Sequence, residues 1–111
     1  MVMTILEAHV TPENSAALEQ AYAAGTEHLP PQLLQTFLVH STPDSTLWRI
    51  VGLWDSREAL EEMRRSTETP AGVLMFRAAG VEPTLAVFDV ADHATGLAGE
   101  SWQSPSDIIC H

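Results

Sequence analysis

Residues Trp48 to Met63 read WRIVGLWDSREALEEM, and the fold follows from this stretch. From Trp48 to Trp54 the chain carries strand-favouring residues on both of its alternating faces. Asp55-Ser56-Arg57-Glu58 then supplies cap residues and an acid for a first helical turn. Ala59, Leu60 and Met63 recur at helical spacing, the apolar stripe of an amphipathic helix. A strand therefore turns into a helix almost without a loop.

Working outward, Leu33 to His40 is a second strand, with Phe37, Leu38 and Val39 raising β propensity. Ser41-Thr42-Pro43-Asp44-Ser45 is a turn by composition, so residues 33–40 and 47–54 are predicted to pair as a hairpin. Upstream, residues 3–10 form a strand. Thr11-Pro12-Glu13 follows with a cap, a proline at the first helical position and an acid in the first turn. That helix uses Ala17, Leu18, Ala21, Tyr22 and Gly25, and ends between Gly25 and Leu29, before Pro30-Pro31. Downstream, Thr69-Pro70 repeats the cap-plus-proline signal, and Val73, Leu74, Phe76 and Arg77 predict a short helix closed by Gly80. Residues 82–91 form the last strand. The domain thus occupies residues 1–91; residues 92–111, rich in Ser, Gly and Asp with a lone Trp102, read as a flexible or partner-contacting tail.

The order β-α-β-β-α(-α)-β makes this an α+β chain of ferredoxin-like type, a four-stranded antiparallel sheet with its helices on one face. Those helices cover one face only, yet the strands are apolar on both. Trp48, Ile50 and Trp54 alternate with Leu47, Val51 and Leu53, and Phe37 and Val39 alternate with Leu34 and Leu38. An antiparallel sheet with one wet face alternates apolar with polar residues. The second face is therefore expected to bury against another copy, as a homodimer.

The net charge of −10, with no Lys, argues against nucleic acid and anionic membrane as partners. No apolar run is long enough to span a bilayer, and the first ten residues lack the basic start of a signal peptide. The lone cysteine, Cys110, allows no internal disulfide. A soluble cytoplasmic protein is the expectation.

Candidate chemistry begins at Glu7 and His9, two apart on one strand and so on one face. They suit a carboxylate orienting an imidazole base, or a polar pair at an interface or sheet edge. Arg49, on an otherwise apolar strand, requires a carboxylate partner, from Glu7 or from a ligand. Trp48 and Trp54 are candidates to wall an aromatic pocket, or are core, as are Met63 and Phe76. His40 reads as a solvated strand end, and His28 as a cation at a helix C-terminus. No metal-ligand spacing is present, Cys110-His111 at the end being incidental, and phosphate loops and nucleophile elbows are lacking.

The frame Trp48-x-Ile50-x-x-Leu53-Trp54-x-Ser56-x-x-Ala59-Leu60, with the Val10-Thr11-Pro12-Glu13 strand end, resembles the antibiotic biosynthesis monooxygenase family over about residues 3–91. The resemblance implies a dimeric α+β barrel. It also implies a cofactor-independent monooxygenase of an aromatic or quinol-like molecule bound between sheet and helices. In that frame His9, supported by Glu7, deprotonates the substrate, Arg49 steadies the enolate, and Trp48, Trp54, Met63 and Phe76 contact it. Haem-degrading members carry Asn, Trp and His where Leu6, Met63 and the stretch around Val73 stand, so no cofactor is expected. The Asn, Trp and Tyr of the cofactor-free oxygenases are likewise replaced by Glu61, Glu62, Met63 and Arg64. The alternative is a non-catalytic homodimer that binds a small ligand or serves as an assembly module.

Overall fold

In the computed structural model, which describes residues 1–66 and 69–94, β1 (Val2–His9) runs into α1 (Pro12–Gly25). A hairpin of β2 (Leu33–His40) and β3 (Leu47–Trp54) follows, then α2 (Arg57–Ser66), α3 (Ala71–Ala78) and β4 (Thr84–Asp89). The antiparallel sheet has the order β2-β3-β1-β4. This is the α+β, ferredoxin-like arrangement expected. Of the predicted tail, residues 95–111 lie outside the described residues.

The joint at Trp54 is held by two hydrogen bonds. Asp55 N–H donates to the Gln32 carbonyl at 2.9 Å, tying the strand end to β2, and Ser56 Oγ accepts the Ala59 N–H at 3.0 Å, capping α2. The last turn of α2 carries Arg64 and Arg65, favourable at the negative end of the helix dipole. Two starts differ from expectation. Thr11 has extended geometry but makes no side-chain cap; its carbonyl accepts the Asn14 N–H at 2.9 Å. Pro70 is itself the cap residue of α3 rather than its first helical residue, and its carbonyl receives the N–H groups of Val73 and Leu74 at 3.1 and 3.2 Å.

Gly80 closes α3 with φ +82°. Its N–H donates to the Arg77 carbonyl at 2.9 Å, and Val81 N–H reaches the Phe76 carbonyl at 3.1 Å, the two bonds of a Schellman motif. Arg77 and Glu82 form a forked ion pair across this turn, two contacts of 2.9 Å. The Arg77 guanidinium holds the Glu82 carboxyl below its usual range. β4 is shorter than the 82–91 expected: it ends at Asp89, and it starts only at Thr84, Pro83 having no N–H for the ladder.

Residue parity sets the layers. On β1, Val2, Leu6 and Ala8 are buried beneath the helices, as are Trp48, Ile50 and Trp54 on β3. Leu18, Met75 and Phe76 close the main core from above, while Leu60 packs with Val2 and Trp54 in a smaller cluster. The alternate positions face outward. Phe37 remains 50% exposed, Val39 41% and Phe88 52%, so the uncovered face is apolar at its edges as well as its middle. No helix among the described residues is long and apolar enough to cross a membrane.

Candidate functional site

A cavity of about 320 Å³ opens between the sheet and the helices, within the size range of small-molecule sites. Its floor is the inward parity of the sheet, including Thr4, Leu6, Thr36, Ile50, Gly52 and Trp54. The C-terminal end of α1 with the segment to Pro30, one side of α2 and the start of α3 form its walls. The lining is mainly apolar, and among the described residues its members with polar side-chain groups are Thr4, Tyr22, Thr26, His28, Thr36, Trp54 and Arg64. Trp54 Nε1 donates to Thr4 Oγ1 at 3.2 Å, and the Tyr22 hydroxyl donates to Thr36 Oγ1 at 3.3 Å.

The residues expected to act there divide between the two faces of the sheet. Trp54 and Met63 line the cavity. Trp48 and Phe76 do not: both are core residues, Phe76 fully buried and Trp48 stacked on His40 with ring centroids 4.0 Å apart. Trp48 Nε1 is buried with no hydrogen-bond partner among the described residues.

Glu7, His9 and Arg49 occupy the outward parity and do not line the cavity. Nor does Glu7 orient His9. Register sets Glu7 directly opposite Arg49, and Arg49 Nε donates to Glu7 Oε1 at 2.5 Å. The fixed guanidinium one strand away outcompetes an imidazole two residues along the same strand. His9 instead turns to the β2–β3 turn, with Nδ1 2.8 Å from Thr46 Oγ1 and 3.7 Å from Asp44 Oδ2. Asp44 Oδ1 accepts both the Thr46 hydroxyl and the Thr46 N–H, at 2.7 and 3.0 Å. Those bonds, the hydroxyl first, hold the Asp44 carboxyl below its ordinary value, with His9 and His40 adding a smaller pull.

Sequence reasoning passed over Tyr22, Thr36 and Thr4 and gave His28 a helix-end role only. A usable signal existed for two of them. Thr4 and Thr36 share parity with the core residues Leu6 and Leu38, so each is a polar side chain on an inward strand face. Among the described residues no three His, Cys, Asp or Glu side chains converge as metal ligands.

The family model for antibiotic biosynthesis monooxygenases matches residues 1–73, from β1 into the start of α3. No curated protein sequence matches the chain. Among solved structures, a Deinococcus radiodurans protein bearing that family designation superposes with a TM-score of 0.65 at 14% identity, covering 87% of this chain and 99% of its own. A Caulobacter crescentus protein with the same designation gives 0.62 at 19% identity, over 82% and 90%. MhuD, in an arginine-to-serine mutant with two manganese protoporphyrin IX bound per active site, gives 0.65 at 19% identity, over 86% and 100%. At such identities the likeness is one of fold, and the porphyrins belong to that protein. The family model, by contrast, spans well over half the sequence, and the chain belongs to the antibiotic biosynthesis monooxygenase family.

Proposed function

We propose that this chain is a cofactor-independent monooxygenase that oxidises an aromatic or quinol-like molecule in the cavity beneath the helices. The observation that carries this reading is the cavity itself: a largely apolar chamber of about 320 Å³ with a few hydroxyls and one imidazole. A flat apolar substrate fits such a lining, and half-buried hydroxyls suit an oxygen that gains charge during reaction. His28, rather than the outward-facing His9, is the imidazole at the cavity, and takes the role of base. In an anthrone-type substrate, loss of a proton from the activated CH₂ leaves a carbanion that the ring delocalises onto oxygen. It reduces dioxygen directly: one oxygen atom stays on carbon as a carbonyl, and the other leaves as water with the two hydrogens lost. The substrate supplies all the electrons.

The apolar outer face carries a second part of the proposal, that two copies pack sheet to sheet. Phe37, Val39 and Phe88 would leave water in that assembly, and the Glu7–Arg49 pair would lie inside it. Glu7, His9 and Arg49 then serve association rather than proton transfer.

Oxygen uptake with anthrone and with hydroquinone, without added metal or cofactor, tests the activity. Turnover that falls by about 100-fold or more in His28→Ala and persists in His9→Ala supports the assignment. No uptake with either compound would favour the alternative, a binding module without chemistry.

A further inference from the structure

Resting on the assignment of the cavity as the reactive site, we infer that the Thr4 and Thr36 hydroxyls are its oxyanion donors, each oriented by an aromatic donor behind it. Trp54 Nε1–H reaches Thr4 Oγ1 at 3.2 Å, and Tyr22 O–H reaches Thr36 Oγ1 at 3.3 Å. An indole N–H can only donate. The Thr4 oxygen is therefore an acceptor towards Trp54, and its own proton is left for another partner. Neither threonine hydroxyl donates to a protein acceptor among the described residues, and both line the cavity.

Register makes the two threonines a pair. Gly52 on β3 is matched with Thr4 of β1 on one side and with Thr36 of β2 on the other. The three residues form one row across the floor, the outer two roughly 10 Å apart in the backbone. Gly52 sits between them for a steric reason. A Cβ there would stand 2.9 Å from Thr4 Oγ1 and 3.1 Å from Trp54 Nε1, so the missing side chain is what lets the indole reach across to Thr4. A glycine in a central strand is otherwise unfavourable.

A hydroxyl that accepts a hydrogen bond becomes a better donor through its own proton. Two such hydroxyls in an apolar chamber select a ligand oxygen carrying negative charge, where donated bonds are strongest. The ligand class is accordingly an aromatic bound as its phenolate or enolate. Thr4 and Thr36, at the two ends of the row, each offer a proton to a charged ligand oxygen, whereas Trp54 and Tyr22 are positioning residues.

The test uses the full chain and two probes of similar shape, 4-nitrophenol above its own ionisation and nitrobenzene, which cannot ionise. Binding is followed by probe absorbance and by tryptophan fluorescence. Wild-type protein is expected to bind the phenolate at least about tenfold more tightly than nitrobenzene, and to lower the ionisation midpoint of bound nitrophenol by about one unit. Thr4→Val and Thr36→Val keep the shape and β propensity; each is expected to lose roughly tenfold in phenolate affinity with nitrobenzene affinity unchanged. Thr4→Ser restores the preference. Tyr22→Phe weakens phenolate binding by a smaller factor, about two- to threefold, because the Thr36 hydroxyl remains but is no longer polarised. Nitrobenzene binding with no preference for the phenolate, or a preference that survives in both valine variants, overturns the two relays and leaves the proposed oxygenase site standing. Failure of both probes to bind wild-type protein overturns the cavity as a ligand site, and both proposals with it.

Discussion

Replacing Gly52 with alanine sets two effects of opposite sign against each other. In an open strand the change stabilises, since glycine costs roughly 0.5–1 kcal/mol relative to alanine. Here the new methyl would lie 2.9 Å from Thr4 Oγ1, 3.1 Å from Trp54 Nε1 and 3.4 Å from Leu33 Cδ1. Trp54 is only 6% exposed and packs with Val2 and Leu60, so its ring cannot swing clear without disturbing that cluster. Overpacking of this kind costs about 1–3 kcal/mol, and loss of the indole–Thr4 bond adds roughly 0.5–1.5 kcal/mol. The unfavourable contributions win, by about 1–3 kcal/mol net. In urea this lowers the unfolding midpoint by on the order of 1 M, with both proteins at one concentration because self-association also shifts the midpoint. Trp54 should report the change through its fluorescence in the native state as well. A gain in stability of the size alanine brings to an open strand would refute the close approach of Trp54 over Gly52.

Phe76→Ala empties a fully buried position of the core, and should cost about 3–5 kcal/mol, read as a fall in thermal midpoint of more than about 10 °C; a fall of only a degree or two would contradict its burial. Because the Asp44 carboxyl is held low in the folded protein by Thr46, its stabilising contribution is present above the unfolded-state value and disappears as pH falls through the depressed one. Asp44→Asn should therefore flatten the acid limb of a plot of urea midpoint against pH, and an unchanged limb would dismiss this role. Charging the outer face with Phe37→Glu and Phe88→Glu together should convert a dimeric mass by light scattering to a monomeric one at micromolar concentration, while circular dichroism keeps the native signal; a wild-type mass that is already monomeric would remove the basis for sheet-to-sheet packing.

The fold was legible because its signals are local. The β3–α2 joint, the Ser41–Ser45 turn, Pro12 at a helix start and Gly80 at a helix end each act within a few residues. The cap details were less so: Thr11 and Pro70 offered the right residue types, but the bonds were made by main-chain carbonyls. The site was harder, because its polar groups come from five separate elements and the segment after α1, and meet only after the sheet is formed. Periodicity placed Glu7 and His9 on one face correctly, yet it says nothing of what stands across the strand. There the guanidinium of Arg49 decides the partner of Glu7. Parity alone also cannot say which of two apolar faces the helices cover. Glu7, His9 and Arg49 were for that reason read as possible chemistry beneath the helices, and their outward parity suits the other readings given to them, a Glu7–Arg49 pair and a polar group at an interface or sheet edge.

The alternation along β1 and β3 has a practical meaning for how this protein can change. Each strand is written on two sides, Thr4 and Leu6 towards the chamber, Ile5 and Glu7 away from it, and likewise Ile50 and Gly52 against Arg49 and Val51. Substitution at Thr4, Leu6, Ile50 or Gly52 reshapes the chamber and leaves the outer surface untouched, and the intervening positions do the reverse. A single inserted residue in either strand transposes the two scripts. Diversity can therefore accumulate by point replacement within these strands, whereas changes in length are confined to the turn between Ser41 and Thr46 and to the connections around the helices.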